Sequence, residues 1–470
     1  MPRPRTNPLL LLTVVVASVN CAKPTAPLPS LRPCEVGFGP DATAGECGVL
    51  TVPENRATRR GRTIDIHYGI LRADRQPARE ALLMFAGGPG ESSLDVMGSV
   101  GWSRPVRASM DILLVEQRGT GQSHPLDCDS NVSSDPAASF GHIFDPNWVR
   151  RCRATLEADA DLTQYTTEST VEDIEDVRAV VGYEKVSLYG GSYGTRVAQA
   201  YMRRYPGRTK AVVIDGTVPF DNAIPLTYAA SAQQALDRVF AACVANPSCR
   251  ATHPKLSGQF GVLLHRFDRG PISTTVTPPG GAPVPVRMSR GDFGYAVRGL
   301  LYSPGAISLL PGMIGRAAST QNLREFAQAY WERELEFSHD FAYGVHWSVL
   351  CAEDVAFVTE ADVGPATAKT FLDRYVIDEY RQVCALWPRA GIASAFRKPA
   401  DVEVPTLLIS GYFDPVTPPE FAERVARSLP VSRLIVAPTG SHGSVPGCPR
   451  AAALHLLMTG TFNRMPEVCR

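Results

Sequence analysis

An apolar strand signal, Val186 to Tyr189, runs directly into Gly190-Gly191-Ser192-Tyr193-Gly194 and then into helical periodicity from Thr195 to Tyr205. A chain passing from strand to helix within so few residues reverses sharply at the edge of a sheet, and the hydroxyl at its tip is lifted clear of that edge. The glycines have a steric reason: side chains at positions 190 and 194 would collide where the chain turns back, while Ser192 must accept a strained backbone. The G-x-S-x-G pattern alone carries little, because with 39 glycines in 470 residues roughly one chain in four of this length holds it by chance. Its position between a strand and a helix is what gives it weight.

The surrounding pattern fits a sheet built for such a turn. Thr63 to Leu71, Glu80 to Phe85 and Met110 to Glu116 read as short strands bounded by turn residues, and Val171, Ile174, Val177, Val180 and Val181 fall on one helical face. Val212 to Asp215 is a further buried-strand candidate. Strands alternating with helices predict an α/β protein with a mostly parallel sheet flanked by helices. From Pro219 to about Lys398 the alternation lapses into helical stretches such as Ser231 to Ala245 and Leu323 to Glu336, with Pro278 to Pro285 as a solvated loop. The strand pattern then resumes at Val404 to Ser410 and Arg433 to Val436, around a helix from Pro419 to Ser428. The expected organisation is a core over 34–218, a large helical cap inserted over 219–399, and the rest of the core over 400–470.

Composition narrows the function. Lys+Arg and Asp+Glu number 47 each, so no net basic field draws the chain to phosphate backbones or anionic lipid, and nucleic-acid binding is not expected. Hydrophobic residues make up 44%, too many for a disordered chain. Residues 1–22 read as a targeting segment, with Arg3 and Arg5 ahead of an apolar run from Leu9 to Val19 that is too short to span a bilayer, and 23–33 as a Pro-rich tether. Three fates are open for that segment: lipidation at Cys21, cleavage near Ala17 or Ala22, or retention as an anchor. No integral membrane domain is expected beyond it. Of the 11 cysteines, removing or lipidating Cys21 leaves an even set, which suits an exported, oxidised chain. Consecutive pairing, the simplest of many connectivities, gives 34 to 47, 128 to 152, 243 to 249, 351 to 384 and 448 to 469. No cysteine has metal-ligand spacing, and neither metal nor cofactor is expected.

A serine hydroxyl is a weak nucleophile until a base takes its proton, so a histidine oriented by a carboxylate is required. Among nine histidines, His442 lies in the small-residue loop after the last strand, where the base belongs in the order Ser, acid, His. His67 falls within a strand and His455 within an apolar helix, while His124, His142, His253, His265, His339 and His346 fall in loops or the cap. Asp414 follows the strand Thr406 to Ser410 and is the expected acid; Asp215, at the end of another strand, is the rival. Ala86-Gly87-Gly88-Pro89-Gly90 exposes backbone N–H groups after an apolar strand, and Gly88 and Tyr193 are the expected oxyanion donors.

Gly87-Gly88-Pro89-Gly90, Glu116-Gln117-Arg118-Gly119-Thr120-Gly121-Gln122-Ser123, Gly190-Gly191-Ser192-Tyr193-Gly194, Asp414-Pro415-Val416-Thr417-Pro418 and Ser441-His442-Gly443 together resemble the proline iminopeptidase and tripeptidyl aminopeptidase group of α/β-hydrolases. The resemblance runs over about 34–470, and the C-terminal end, with Cys448 and Cys469, is similar to the tripeptidyl-aminopeptidase-like region. It implies the α/β-hydrolase fold and a cofactor-free serine exopeptidase that releases residues or short peptides from a free N-terminus. Two departures are Glu116 where Asp is usual, and Ser441 inside the familiar Gly-His-Gly. An aminopeptidase must hold a free ammonium, and the resemblance of Cys351-Ala352-Glu353-Asp354 to a cap motif points to Glu353 and Asp354 for that task. Glu332, Glu334 and Glu336, alternating with Arg333, read as a solvated helix face. The partner expected is a small peptide or aminoacyl substrate, the location secreted, periplasmic or cell-envelope. A carboxylesterase on the same machinery, or a binding protein on an inactive hydrolase scaffold, are the competing readings.

Overall fold

A computed structural model describes Met1 and residues 30–129, 135–337 and 341–466, with side chains described except at 336 and 337. Apart from Met1, the targeting segment, with Cys21, lies outside the described residues, as does Cys469. Nine strands of one sheet are arranged in the order β1 (Arg32–Val36), β2 (Thr43–Pro53), β3 (Thr63–Leu71), β5 (Asp111–Val115), β4 (Glu80–Phe85), β6 (Lys185–Gly191), β7 (Thr209–Asp215), β10 (Thr406–Gly411) and β11 (Ser432–Ala437). The first four pair antiparallel and the rest are parallel. All five residues of β5 and all six of β10 are buried, as expected of strands covered on both faces. Leu83, Phe85, Leu113, Val115, Leu188, Ile214 and Leu408 face one layer of the core. Leu82, Met84, Ile112, Leu114, Val213 and Ile409 face the other.

β7 and β10 are parallel neighbours, Val212 opposite Thr406, although almost two hundred residues separate them in the chain. That excursion is mainly helical, but not wholly so. β8 (Ile272–Val276) and β9 (Val284–Met288) form an antiparallel hairpin within it. The segment expected to be loop up to Pro285 therefore gives its last two residues to a strand, and only Thr277 to Pro283 turns. Bonds Cys34–Cys47, Cys128–Cys152, Cys243–Cys249 and Cys351–Cys384 are present, and Cys448 is also disulfide-bonded. No helix among the described residues is long and apolar enough to cross a membrane.

Candidate active site

The turn after β6 has the strain its sequence implies. Ser192 sits at φ +53°, a left-handed conformation unusual for a non-glycine residue. It is held by hydrogen bonds from its own N–H to the Asp215 carbonyl and from the Thr195 N–H to its carbonyl, both 2.9 Å. A Cβ at Gly190 would lie 2.3 Å from the Gly194 carbonyl oxygen, and one at Gly194 would lie 2.4 Å from that of Phe85. Both glycines are therefore fixed by backbone contact. The helix Gly194–Arg204 starts at once.

The loops at the same end of the sheet bring the other expected residues to this point. Asp414, fully buried, accepts through Oδ1 from the N–H groups of Val416 (2.8 Å) and Thr417 (2.9 Å). Its Oδ2 accepts from Thr417 Oγ1 at 2.7 Å and lies 2.9 Å from His442 Nδ1. Burial alone would raise the Asp414 carboxyl, but His442 and the Thr417 donors hold it below its ordinary value. Burial alone would lower His442; the Asp414 carboxylate outweighs it and raises the imidazole to about 9. Asp215 also stands near, with Oδ2 accepting from the Val445 N–H at 2.7 Å and burial raising it to about 6. It is Asp414 that contacts the imidazole. Ser441, the departure beside His442, donates to the Leu301 carbonyl at 2.5 Å and so ties this loop to the inserted helices.

The Gly87–Gly90 turn follows β4, next to β6. The N–H groups of Gly88 and Tyr193 have no hydrogen-bond partner among the described residues, and a Cβ at Gly87 would lie 3.2 Å from Ser192 Cβ. The Gly87 N–H donates to Glu91 Oε2 at 2.9 Å. His346, set aside from sequence, braces this turn: its Nδ1 lies 2.9 Å from the Pro89 carbonyl oxygen and its Nε2 2.8 Å from Tyr380 Oη. Burial depresses it to about 4, so the ring is neutral and donates through one nitrogen only. Glu116 accepts from Ser92 Oγ (2.6 Å), the N–H groups of Ser93 (3.0 Å) and Leu94 (3.1 Å), and Thr120 Oγ1 (2.8 Å), fixing the chain just beyond that turn.

Ser192, Gly88, Asp215 and His442 line a cavity of about 330 Å³, roofed by the inserted helices. Glu353 and Asp354 do not line it, which corrects their expected role. Glu353 accepts from the Thr167 N–H and Oγ1, both at 2.7 Å, and Asp354 forms a two-pronged pair with Arg196 at 2.8 and 2.9 Å. All three charged side chains are fully buried. Arg196 belongs to the helix that follows Ser192, so this motif clamps the insertion to the nucleophile's helix and leaves no charge for a ligand. Besides Asp215, the acidic residues that face the cavity are Glu91 and Glu334, with Arg298 and Arg333 opposite in charge. The expected solvated face is thus turned inward at Arg333 and Glu334, while Glu332 is exposed and the Glu336 side chain lies outside the described residues. Burial raises the Glu334 carboxyl to about 7. Glu91 could have been suspected as an acid directly after the glycine turn; nothing local in the sequence marks Glu334 or Arg298.

Fold and site together define a serine hydrolase of the α/β-hydrolase fold. Residues 80–264 match the alpha/beta hydrolase fold family and 369–469 match the TAP-like protein family, so the chain carries an α/β-hydrolase fold with a TAP-like C-terminal region. It is 25% identical over 379 residues to serine protease Hip1 of Mycobacterium tuberculosis, covering 74% of this chain and 72% of that protein. It is 23% identical over 466 residues to the putative hydrolase YuaR of Escherichia coli K12, covering 90% and 88%. Against tripeptidyl aminopeptidase of Streptomyces lividans it is 26% identical over 190 residues, 37% of this chain and 35% of the other.

Proposed function

We propose that the protein is an exported serine aminopeptidase that removes residues or short peptides from the free N-terminus of small peptides. Ser192 Oγ attacks the scissile carbonyl as His442 Nε2 takes its proton, and Asp414 holds the imidazole tautomer and stabilises the imidazolium. The N–H groups of Gly88 and Tyr193 receive the oxyanion. His442 then protonates the departing amine, and water releases the acyl group from Ser192 by the same steps in reverse.

The observation that carries the exopeptidase reading is Glu334, a carboxylate with no hydrogen bond or ion pair among the described residues, lining the same cavity as Ser192 and His442. Such a group binds an ammonium in preference to a neutral amide. The cavity volume suits the end of a peptide rather than a folded protein. Export is supported by the disulfides, and relatives named as a serine protease and a tripeptidyl aminopeptidase support peptide hydrolysis. The test uses Ala- and Ala-Ala-Pro-linked chromogenic amides, each free and N-acetylated, beside a short-chain nitrophenyl ester. A fall in kcat/KM of at least about 10-fold on acetylation is expected. Equal rates on free and acetylated amides overturn the aminopeptidase reading, and ester turnover without amide turnover makes the protein an esterase.

A further inference from the structure

Among the described residues, buried arginines of this chain are matched by carboxylates. Arg118 lies 2.7 Å from Asp173, Arg196 2.8 Å from Asp354 and Arg178 2.7 Å from Glu175. Arg298, on the helix Arg290–Leu300, departs from this rule. Its residue is only 3% exposed, yet no carboxylate of the described residues stands within ion-pairing distance of it. A guanidinium offers five N–H donors in a fixed fork. Here Nη2 donates to Tyr302 Oη at 2.9 Å, while Nε is buried without a hydrogen-bond partner.

The guanidinium is not hidden in an apolar core, because it lines the cavity that also holds Ser192 and His442. Aromatic rings fix its position: its carbon stands 4.0 Å from the Tyr228 ring centre and 5.2 Å from that of Tyr302. The Tyr302 ring lies edge-on to His442 with centres 5.3 Å apart, so Arg298 is one aromatic ring from the imidazole. Arg333 approaches the same ring, 4.1 Å from its centre. Room for it exists because residue 299 is glycine: a Cβ there would meet Arg333 Cδ at 2.8 Å. Burial would raise the Tyr302 phenol, yet Arg298, Arg333 and His442 hold it below its ordinary value. Arg298, Arg333 and His442 thus converge on this one ring.

A buried, unpaired guanidinium is costly for the fold alone, and a ligand carboxylate arriving in its fork removes that cost. We propose that Arg298 is a specificity-determining residue that receives a carboxylate of the substrate close to the scissile bond, so that the preferred substrate is a short peptide carrying a free carboxylate. Taking the cavity as the substrate site rests on the proposed function. The carboxylate has two candidate sources, the C-terminus of a di- or tripeptide or an acidic side chain.

The experiment compares Ala-Ala-Ala, its C-terminal amide, and Ala-Asp-Ala amide, with hydrolysis followed by mass spectrometry. Wild-type protein is expected to favour at least one carboxylate-bearing peptide over the plain amide by roughly 10- to 100-fold in kcat/KM. Preference for Ala-Ala-Ala alone assigns the C-terminus; preference for the Asp peptide alone assigns a side chain. Arg298→Gln is expected to collapse the ratio towards one, and Arg298→Lys, which keeps the charge but not the fork, to retain part of it. If the Gln variant does not fold, the wild-type ratio and the Lys variant decide the matter. Binding of the three peptides to Ser192→Ala protein, measured by calorimetry, reads the same preference without turnover. Absence of hydrolysis with carboxylate-selective binding would refute the peptidase reading and leave Arg298 standing. No preference for a carboxylate in either measurement, or a preference that survives in Arg298→Gln, overturns the inference.

Discussion

Replacing Glu334 by Gln separates recognition of the substrate amine from the chemistry at Ser192. The cavity wall holds this carboxyl near 7 instead of its ordinary 4.5, through burial that Arg333 offsets only in part. At 1.36 kcal/mol per tenfold change in proton affinity, the pocket penalises the bare carboxylate by roughly 3 kcal/mol. An ammonium seated against it relieves that penalty, and water in the cavity makes the figure a ceiling. The variant should therefore lose roughly 10- to 100-fold in kcat/KM on free-amine peptides, with a change of no more than about threefold on their N-acetyl counterparts. The pH dependence has a definite sign. Glu334 is charged only above about 7, and a substrate α-amine stays protonated only below about 8, so the advantage of the free amine should peak between those values and shrink on either side. Paired chromogenic amides assayed from pH 5.5 to 9.5 supply both readouts. Equal losses on free and blocked substrates, or no loss on the free ones, would refute this role.

Three other perturbations test neighbouring parts. Because His442 works as a neutral base and is held at about 9, kcat/KM of the free enzyme should fall about tenfold per pH unit below that value; Asp414→Asn should cost roughly 10⁴ in kcat and move this limb to lower pH. Asp354→Asn breaks a fully buried pair with Arg196 and should destabilise by about 3 to 5 kcal/mol, lowering Tm in calorimetry while the free-to-acetylated rate ratio holds; a collapse of that ratio at unchanged Tm would restore Asp354 as the amine anchor. Non-reducing peptide mapping should find Cys448 joined to Cys469, and a different partner would refute consecutive pairing at the C-terminus.

What the sequence reveals follows the range of the forces involved. The strands β3 and β4 match their sequence expectation at both ends, because short apolar runs bounded by turn residues are local signals. The edge strand β1 and its neighbour β2 escape notice: Thr43–Pro53 mixes glycine, glutamate and cysteine, and its pairing with β1 and β3 is tertiary. Backbone sterics made the Ser192 turn legible: the need for Gly190 is set within five residues by the Gly194 carbonyl, although that for Gly194 comes from the neighbouring strand, at the Phe85 carbonyl. The order of acid and histidine along the sheet edge made Asp414 and His442 legible. The binding wall was not legible. Whether Glu334 or Glu353 faces the cavity depends on how the helices Arg324–Phe337 and Tyr343–Glu353 pack, and an acidic residue looks the same in sequence whether it meets solvent, an arginine or a substrate.

Activation of Ser192 by His442 can be read by covalent capture, with no substrate assumed. A fluorophosphonate transfers its phosphonyl group to an activated serine oxygen with loss of fluoride, and needs neither an amine nor a carboxylate on the probe. Treatment of the protein followed by peptide mass spectrometry should give a single adduct on Ser192, and the His442→Ala protein should label far more slowly. An adduct on another residue, or none under conditions where a known serine hydrolase is fully labelled, would show that Ser192 is not an activated nucleophile.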